Sequence, residues 1–581
     1  MKNNKTNMKA GKPTSVKNTK RKPKRYSSNT SRDDASLFND ASPSKDGAQT
    51  SRKFPQGKVN VSGDNDASWY AKNVQMLNDV ASYSYLSPIG APLRLEEWVD
   101  MPAYGNKGRI TSYATSVPGL MTITTYPTPG LAVDATSPVN MAAQNIYTYV
   151  RYLNSGSKNY DAPDLMLYLL AMDSLYSCWN WMKRLYGLAS SYNQINRYQP
   201  AAYITANCVD FEDLIGNLSD FRGFLNQVGA QINSFCVPAT MNYNVRHSWM
   251  YSNVYRDSDT MKAQQYMFVP GIFYQYDETS SPKGGILRPI KVCNGINPVD
   301  PATPPYTVAQ LRNIITGMLN ALTYSEDIGV MSGDIKKAYG DSNLFTLSAI
   351  PDDYTVSSVY SPEVMSQIEN LTTCGIEADD FNTMTIAQDP DTNWIKYSPK
   401  FQRSGGIAAP HLRGSIVNMH KENISPADTM VATRLTSILT TNVSGDAAEF
   451  VTVGSEFVNE LRIYWFAPKA WQSPGPVWKY DNMVLASIQV FTLSQTSNKR
   501  PDLSQAGVLA QINMMSQFDW HPLVYLIDSD LEADGDYTYF DFTGIFGDLD
   551  MYTIVGAENL RNMNNVALLS LLDVPAYGPT F

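Results

Sequence analysis

Between Leu165 and Trp181 almost every position is apolar, and the few polar ones are Asp173, Ser174, Ser177 and Asn180. Leu165, Leu169, Met172, Tyr176 and Trp179 recur at helical spacing, and Tyr168, Leu175 and Trp181 widen the stripe. Asp161 is a good N-cap for this helix, and Pro163 is tolerated in its opening turn. A helix apolar around its whole girth belongs in a core or at a subunit interface. Its interior polar residues make it a poor bilayer span. A second helix is predicted from Asp210, with Phe211, Leu214, Ile215, Leu218, Phe221, Leu225 and Val228 on one stripe. Glu212, Asp213, Asp220 and Arg222 occupy its polar side, so this one is amphipathic. Further helices are expected at about 138–153, 308–323, 361–372 and 427–439. Strand-like runs are Met121–Tyr126, Leu461–Phe466, Met483–Thr492, Leu523–Ile527 and Tyr537–Phe542. A helix-rich first half is thus followed by a mixed second half. No repeat of solenoid or propeller length is visible. The fold class expected is α+β with a predominantly α-helical core.

Composition changes the picture in one respect. Charged residues make up only 17% of the chain, against roughly 25% in an ordinary soluble protein. Tyr, Asn, Ser and Thr replace them, and Tyr alone occurs 36 times. Contact surfaces between proteins favour aromatic side chains and are depleted in Lys, Glu and Asp. This balance suits a body whose outside is committed to neighbouring subunits. Trp179, Trp181 and Trp249 would anchor either a core or such an interface. The five cysteines, Cys178, Cys208, Cys236, Cys293 and Cys374, contain no CxxC and are widely spaced. They read as reduced packing residues, which fits synthesis in the cytoplasm.

Charge is divided sharply along the chain. Residues 1–60 hold 15 Lys or Arg and 4 Asp, a net charge of +11, leaving 31 basic and 51 acidic residues, a net of −20, in 61–581. A basic arm on an acidic body points to a polyanionic partner for the arm alone. Its cations are Lys2, Lys5, Lys9, Lys12, Lys17, Lys20, Arg21, Lys22, Lys24, Arg25 and Arg32, and no acidic residue precedes Asp33. With little apolar surface to bury, residues 1–65 are expected to be disordered when free. Lys and Arg without interleaved aromatics neutralise phosphates and do not read sequence, so nonspecific nucleic-acid binding is expected. A nuclear-localisation signal or a solubilising tail is the plainer alternative. The basic start is followed by no apolar run, so a secretory signal is not expected. Membrane insertion is not expected either.

Catalytic patterns are sparse. There is no GxxxxGK[ST], GxSxG, HExxH, or GxGxxG after a strand. His247, His411, His420 and His521 are far apart in sequence and read as structural histidines. Asp530-x-Glu532-x-Asp534-Gly535, with Asp541 further on, approximates a calcium loop. Its flanks read as strands where that loop needs helices, so an acidic turn is the better reading. No enzyme activity, cofactor or metal site is expected.

Several segments resemble picobirnavirus capsid proteins. They are Asp66–Leu77 (DASWYAKNVQML), Asp164–Ser177 (DLMLYLLAMDSLYS), Asn196–Tyr198 (NRY), Val209–Arg222 (VDFEDLIGNLSDFR), Arg246–Ser258 (RHSWMYSNVYRDS) and Met331–Gly340 (MSGDIKKAYG). Gly454-Ser455-Glu456 is a weaker echo. Their number and order over about 66–340 carry the resemblance, which is silent on most of the chain beyond 345. It implies a coat protein of the virion, made in the host cytoplasm, that dimerises and assembles with copies of itself into an icosahedral shell. The shell would enclose viral double-stranded RNA, contacted by the arm. It implies a predominantly α-helical viral shell domain with a more mixed α/β projecting region. On that basis 1–65 is the arm, 66–290 mainly shell, 291–470 a possible projecting domain, and 471–581 a strand-containing region returning to the shell. Some family members cleave off an N-terminal piece, and the 60–66 stretch could be cut, although no motif marks a bond. The alternative is an RNA-binding nucleoprotein that forms no shell, and the acidic body argues against it.

Overall fold

The computed structural model describes residues 72–82, 119–156, 160–191, 199–260, 263–278, 284–293, 303–374, 378–401, 414–441, 448–468, 478–486, 490–494, 512, 514–531 and 537–572, together with short strands within 92–116. The chain divides into two units, 1–83 and 84–581. In the first, the described element is the helix Val74–Ala81, capped by Asn73, whose Oδ1 accepts from the backbone of Gln75 and Met76. None of its side chains is buried.

The second unit is organised around the helix Ala162–Ala189, in which only Asp164 and Lys183 escape burial. Asp161 is its N-cap and Pro163 sits in the first turn, as the pattern predicts. The Asp164 carboxylate reaches back to the Asp161 backbone N–H at 2.9 Å. This central helix packs against the helices Pro138–Leu153, Leu218–Ile232 and Asn242–Ser252 and against the strand Ile272–Glu278. Trp179 and Trp181 lie in the core, while Trp249 packs on its margin. Each buried indole finds an acceptor: Trp179 Nε1 donates to Leu225 O at 2.9 Å and Trp181 Nε1 to Asn207 Oδ1 at 2.8 Å. That is what large amphipathic rings need inside a core.

A six-stranded mixed sheet lies alongside. Its order is Ser358–Tyr360, Val254–Arg256, Gln265–Pro270, Leu120–Pro127, Glu456–Pro468, Trp478–Ala486. Leu120–Pro127 is buried along its whole length. It runs parallel to Gln265–Pro270 and antiparallel to Glu456–Pro468, so segments more than 300 residues apart are neighbours. A four-stranded antiparallel sheet is built on the hairpin Ile272–Glu278 and Gly285–Lys291. Gly271, which turns the chain from one sheet into the other, lies against Tyr126. A Cβ there would come within 1.8 Å of the ring. A smaller core, Val417, Met419, Ala432, Ile438, Val555 and Leu560, lies under the strand pair Gly414–Met419 and Met551–Gly556.

The helices Pro138–Leu153 and Val308–Thr323 fall where the pattern places them. Four expectations are corrected. The helix predicted from Asp210 breaks into Phe211–Gly216 and Leu218–Ile232, leaving Ile215 exposed. At the break the Asn217 side chain donates to Asp213 O at 2.8 Å, which is the competition with the backbone that makes Asn a poor interior residue. The helix expected over 427–439 is Pro426–Ala432, and Ile438–Thr441 joins a sheet instead. The 361–372 helix stops at Glu369 with Asn370 as its C-cap. The run Met483–Thr492 is divided between the strands Trp478–Ala486 and Val490–Ser494, which belong to different sheets.

Candidate functional site

The chemistry of the described body concentrates in a buried group of four charges. Asp173 comes from the middle of the central helix, Arg246 and His247 from the helix Asn242–Ser252, and Glu456 from the start of the strand Glu456–Pro468. His247 Nδ1 lies 2.7 Å from Asp173 Oδ2, and its Nε2 lies 3.5 Å from Glu456 Oε2. Arg246 Nε donates to Glu456 Oε1 at 2.7 Å, and Arg246 Nη2 pairs with the same oxygen. Arg246 also reaches Gln367 Oε1 at 3.3 Å, on the helix Pro362–Glu369. Ser455 Oγ donates to the other Glu456 oxygen. Tyr243 closes the site edge-on, its ring 4.5 Å from the imidazole.

Burial and charge act against each other here, and the geometry decides which wins. Burial alone would push the His247 pKa down, but the Asp173 and Glu456 carboxylates together outweigh it and carry the imidazole up to about 9. Burial raises the Asp173 carboxyl, with His247 offsetting part of that rise. Burial would raise Glu456 too, yet Arg246 and His247 together hold it well below the usual carboxylate range. Arg246 and His247 thus face Asp173 and Glu456, and the contacts on both imidazole nitrogens favour the protonated ring. A buried charge is tolerated only when paired in this way. The arrangement ties two helices and the sheet into one body.

Arg184 is a second buried cation, near the end of the central helix. It donates to Asn253 O, Asn207 Oδ1 and Phe268 O at 3.1, 2.9 and 2.7 Å. With no carboxylate among these partners, desolvation brings it down to about 10. His420, beside the smaller core, sits 2.8 Å from Glu369 Oε1 and 3.5 Å from Asp550 Oδ2, about a third of its side chain exposed. His521 lies 3.0 Å from Pro522 O.

The eleven cations of the arm, Lys2 to Arg32, lie outside the described residues, as do His411 and Asn196–Tyr198. Glu532, Asp534 and Gly535 of the calcium-like loop also lie outside them. The flanks Val524–Leu531 and Tyr537–Phe546 are antiparallel strands, not helices. All five cysteines are buried and unbridged. The sequence reading named no partners for His247 and overlooked Arg184. A usable signal existed: Asp173 and Arg184 are charges within a helix whose girth is mostly apolar.

Asp173, Arg246 with His247, and Glu456 come from three separate segments of the resemblance drawn above, and the fold brings them together. Comparison with known proteins agrees. The sequence model of the picobirnavirus capsid protein family matches residues 69–468. The chain belongs to the picobirnavirus capsid proteins. The capsid protein precursor of a human picobirnavirus is 29% identical over 538 residues, covering 88% of this chain and 92% of its own. The crystal structure of the picobirnavirus capsid shares the fold, with a TM-score of 0.74 at 22% identity over 87% of this chain and 98% of that one. As a capsid protein it has a structural role and is part of the virion. The charge group lies in the interior of the body. Among the described residues no helix is long and apolar enough to cross a membrane.

Proposed function

We propose that this capsid protein dimerises and closes into an icosahedral shell around a double-stranded RNA genome, its basic arm binding that RNA without reading sequence. The division of charge carries this reading: +11 over residues 1–60 against −20 over the rest. An acidic body repels RNA, so attraction must come from the arm. The family match begins at residue 69, beyond the arm. Double-stranded RNA has a deep, narrow major groove, so a flexible arm meets phosphates and not base edges. Each arm binds weakly, and the shell holds many at high effective concentration.

In this reading 1–65 is the arm, 66–290 is mainly shell, a projection arises within 291–470, and 471–581 returns to the shell. The strand Glu456–Pro468 lies inside the six-stranded sheet, which favours ending the projection before Glu456. The separate core around Val417 and Met419 favours that neighbourhood as its base.

The test compares the full chain with one lacking residues 1–60, by negative-stain electron microscopy and absorbance at 260 and 280 nm. Closed uniform particles from both, with nucleic acid only in the full-length ones, are expected. A full-length chain that stays monomeric or dimeric across salt and pH ends the shell reading and returns the non-shell nucleoprotein to consideration. Equal nucleic acid in both ends the arm reading alone. The human relative is named a precursor, and the intact mass of assembled chains shows whether an N-terminal piece leaves this one.

A further inference from the structure

Cys208 and Cys293 take no part in the charge group, yet they face each other in the core. Cys208 follows the helix Gln199–Ala206 with φ at 59°, in the left-handed region that non-glycine residues seldom adopt. Its N–H donates to Thr205 O at 2.9 Å and its carbonyl accepts from Tyr306 N at 2.8 Å, which fixes the turn. Cys293 comes just after the strand Gly285–Lys291, its N–H 3.2 Å from Pro270 O. Each sulfur lies against a backbone carbonyl at or next to the other cysteine. Cys293 Sγ is 3.3 Å from Asn207 O, and Cys208 Sγ is 4.0 Å from Cys293 O. Arg462 Nη1 stands 3.7 Å from the Cys208 sulfur. These contacts put the two side chains side by side in one part of the core, the arrangement from which a disulfide can form.

We propose that Cys208 and Cys293 are a redox-sensitive pair that closes into a disulfide when the capsid protein meets peroxide, bracing the core after release into an oxidising environment. The Cys208 sulfur attacks one oxygen of hydrogen peroxide. The O–O bond breaks, and the departing oxygen leaves as water with the Cys208 proton. The resulting sulfenic acid is attacked by the Cys293 sulfur. The S–O bond breaks, the S–S bond forms, and hydroxide leaves as a second water with the Cys293 proton. Two thiols are oxidised and one peroxide is reduced by two electrons to two waters. The neighbouring Cys293 thiol, with Arg462 beside it, holds the Cys208 thiol down, while burial pushes Cys293 up. Cys208 is therefore the first nucleophile and Cys293 the resolving thiol. Both are 1% exposed, which favours a small neutral oxidant over a bulky disulfide. The bridge would join positions 85 residues apart, a long loop whose closure restricts the unfolded chain.

The test treats the full-length wild-type chain with hydrogen peroxide, unfolds it in iodoacetamide, digests it without reductant and maps it by mass spectrometry. A Cys208–Cys293 linked peptide, two hydrogens lighter than its parts, is expected, with Cys178, Cys236 and Cys374 alkylated. The melting midpoint should rise by about 5 °C and return on reduction. Both cysteines alkylated, or a different pair linked, overturns the proposal. In Cys293→Ser, dimedone should trap Cys208 as its sulfenic acid. Labelling of another cysteine with none on Cys208 overturns the assignment of roles. The wild-type map stands even if that variant fails to fold.

Discussion

Among the described residues two histidines are held between carboxylates, and they differ in worth. His247 sits between Asp173 and Glu456 with both partners almost wholly buried. His420 sits between Glu369 and Asp550, with its own side chain about a third exposed and Asp550 more so. The residue types are nearly the same. At His247 no water replaces a lost partner, so Arg246 is required as well and the group must be complete. At His420 water screens the pair, and the Asn418 side chain, 2.6 Å from Glu369 Oε1, shares the carboxylate. Burial, and not composition, makes the first group structural and leaves the second a local contact.

The strongest way to break this comparison is to remove Glu456. Glu456→Ala strands Arg246 and protonated His247 without their shared anion. Leaving one partner of a buried pair uncompensated costs about 3–5 kcal/mol. Loss of most soluble chain, or a matching fall in stability followed by tryptophan fluorescence in denaturant, is expected. A change below about 1 kcal/mol would show the group to be dispensable. Leu175→Ala, a cavity in the central helix, is expected to cost about 2–5 kcal/mol. Val417→Ala, in the smaller core, removes fewer methyl groups and should cost less.

The pH dependence sharpens the contrast. His247 is raised from 6.5 to about 9, so its contribution is fully present below the unfolded value. It is lost as pH rises through about 9. Asp173 is raised by burial as well, which acts in the same direction, so stability is expected to fall as pH climbs from 7 to 10. A stability profile flat over that window, with tyrosine ionisation controlled for, would contradict a buried imidazolium. The smallest effect is expected from His420→Ala, below about 1 kcal/mol and weaker still in high salt. An equal cost at His420 and His247 would remove the distinction.

Particular elements show how far the sequence could be read. The central helix, its Asp161 cap and its burial were legible because one signal, apolarity around the girth, runs from Leu165 to Trp181, while its extension to Ala189 was not read. The helix after Asp210 was legible as a stripe but not as two pieces, since the break is a local backbone turn at Asn217, with φ −115° and ψ 15°, that leaves the hydrophobic spacing intact. Ile438–Thr441 was drawn into a helix by its apolar pattern, whereas the ladder with Ala448–Thr452 made it a strand.

The sequence alone determined the basic arm, the acidic body, the core helix and the family, because charge, local periodicity and ordered segments are all written along the chain. Tertiary structure alone decided which charges meet. Asp173, His247 and Glu456 are separated by 74 and 209 positions, and no local rule relates them. Only the mixed sheet, with Glu456–Pro468 laid against Leu120–Pro127, removes the water between them. Desolvation then turns three scattered polar residues and Arg246 into a group that has to be complete.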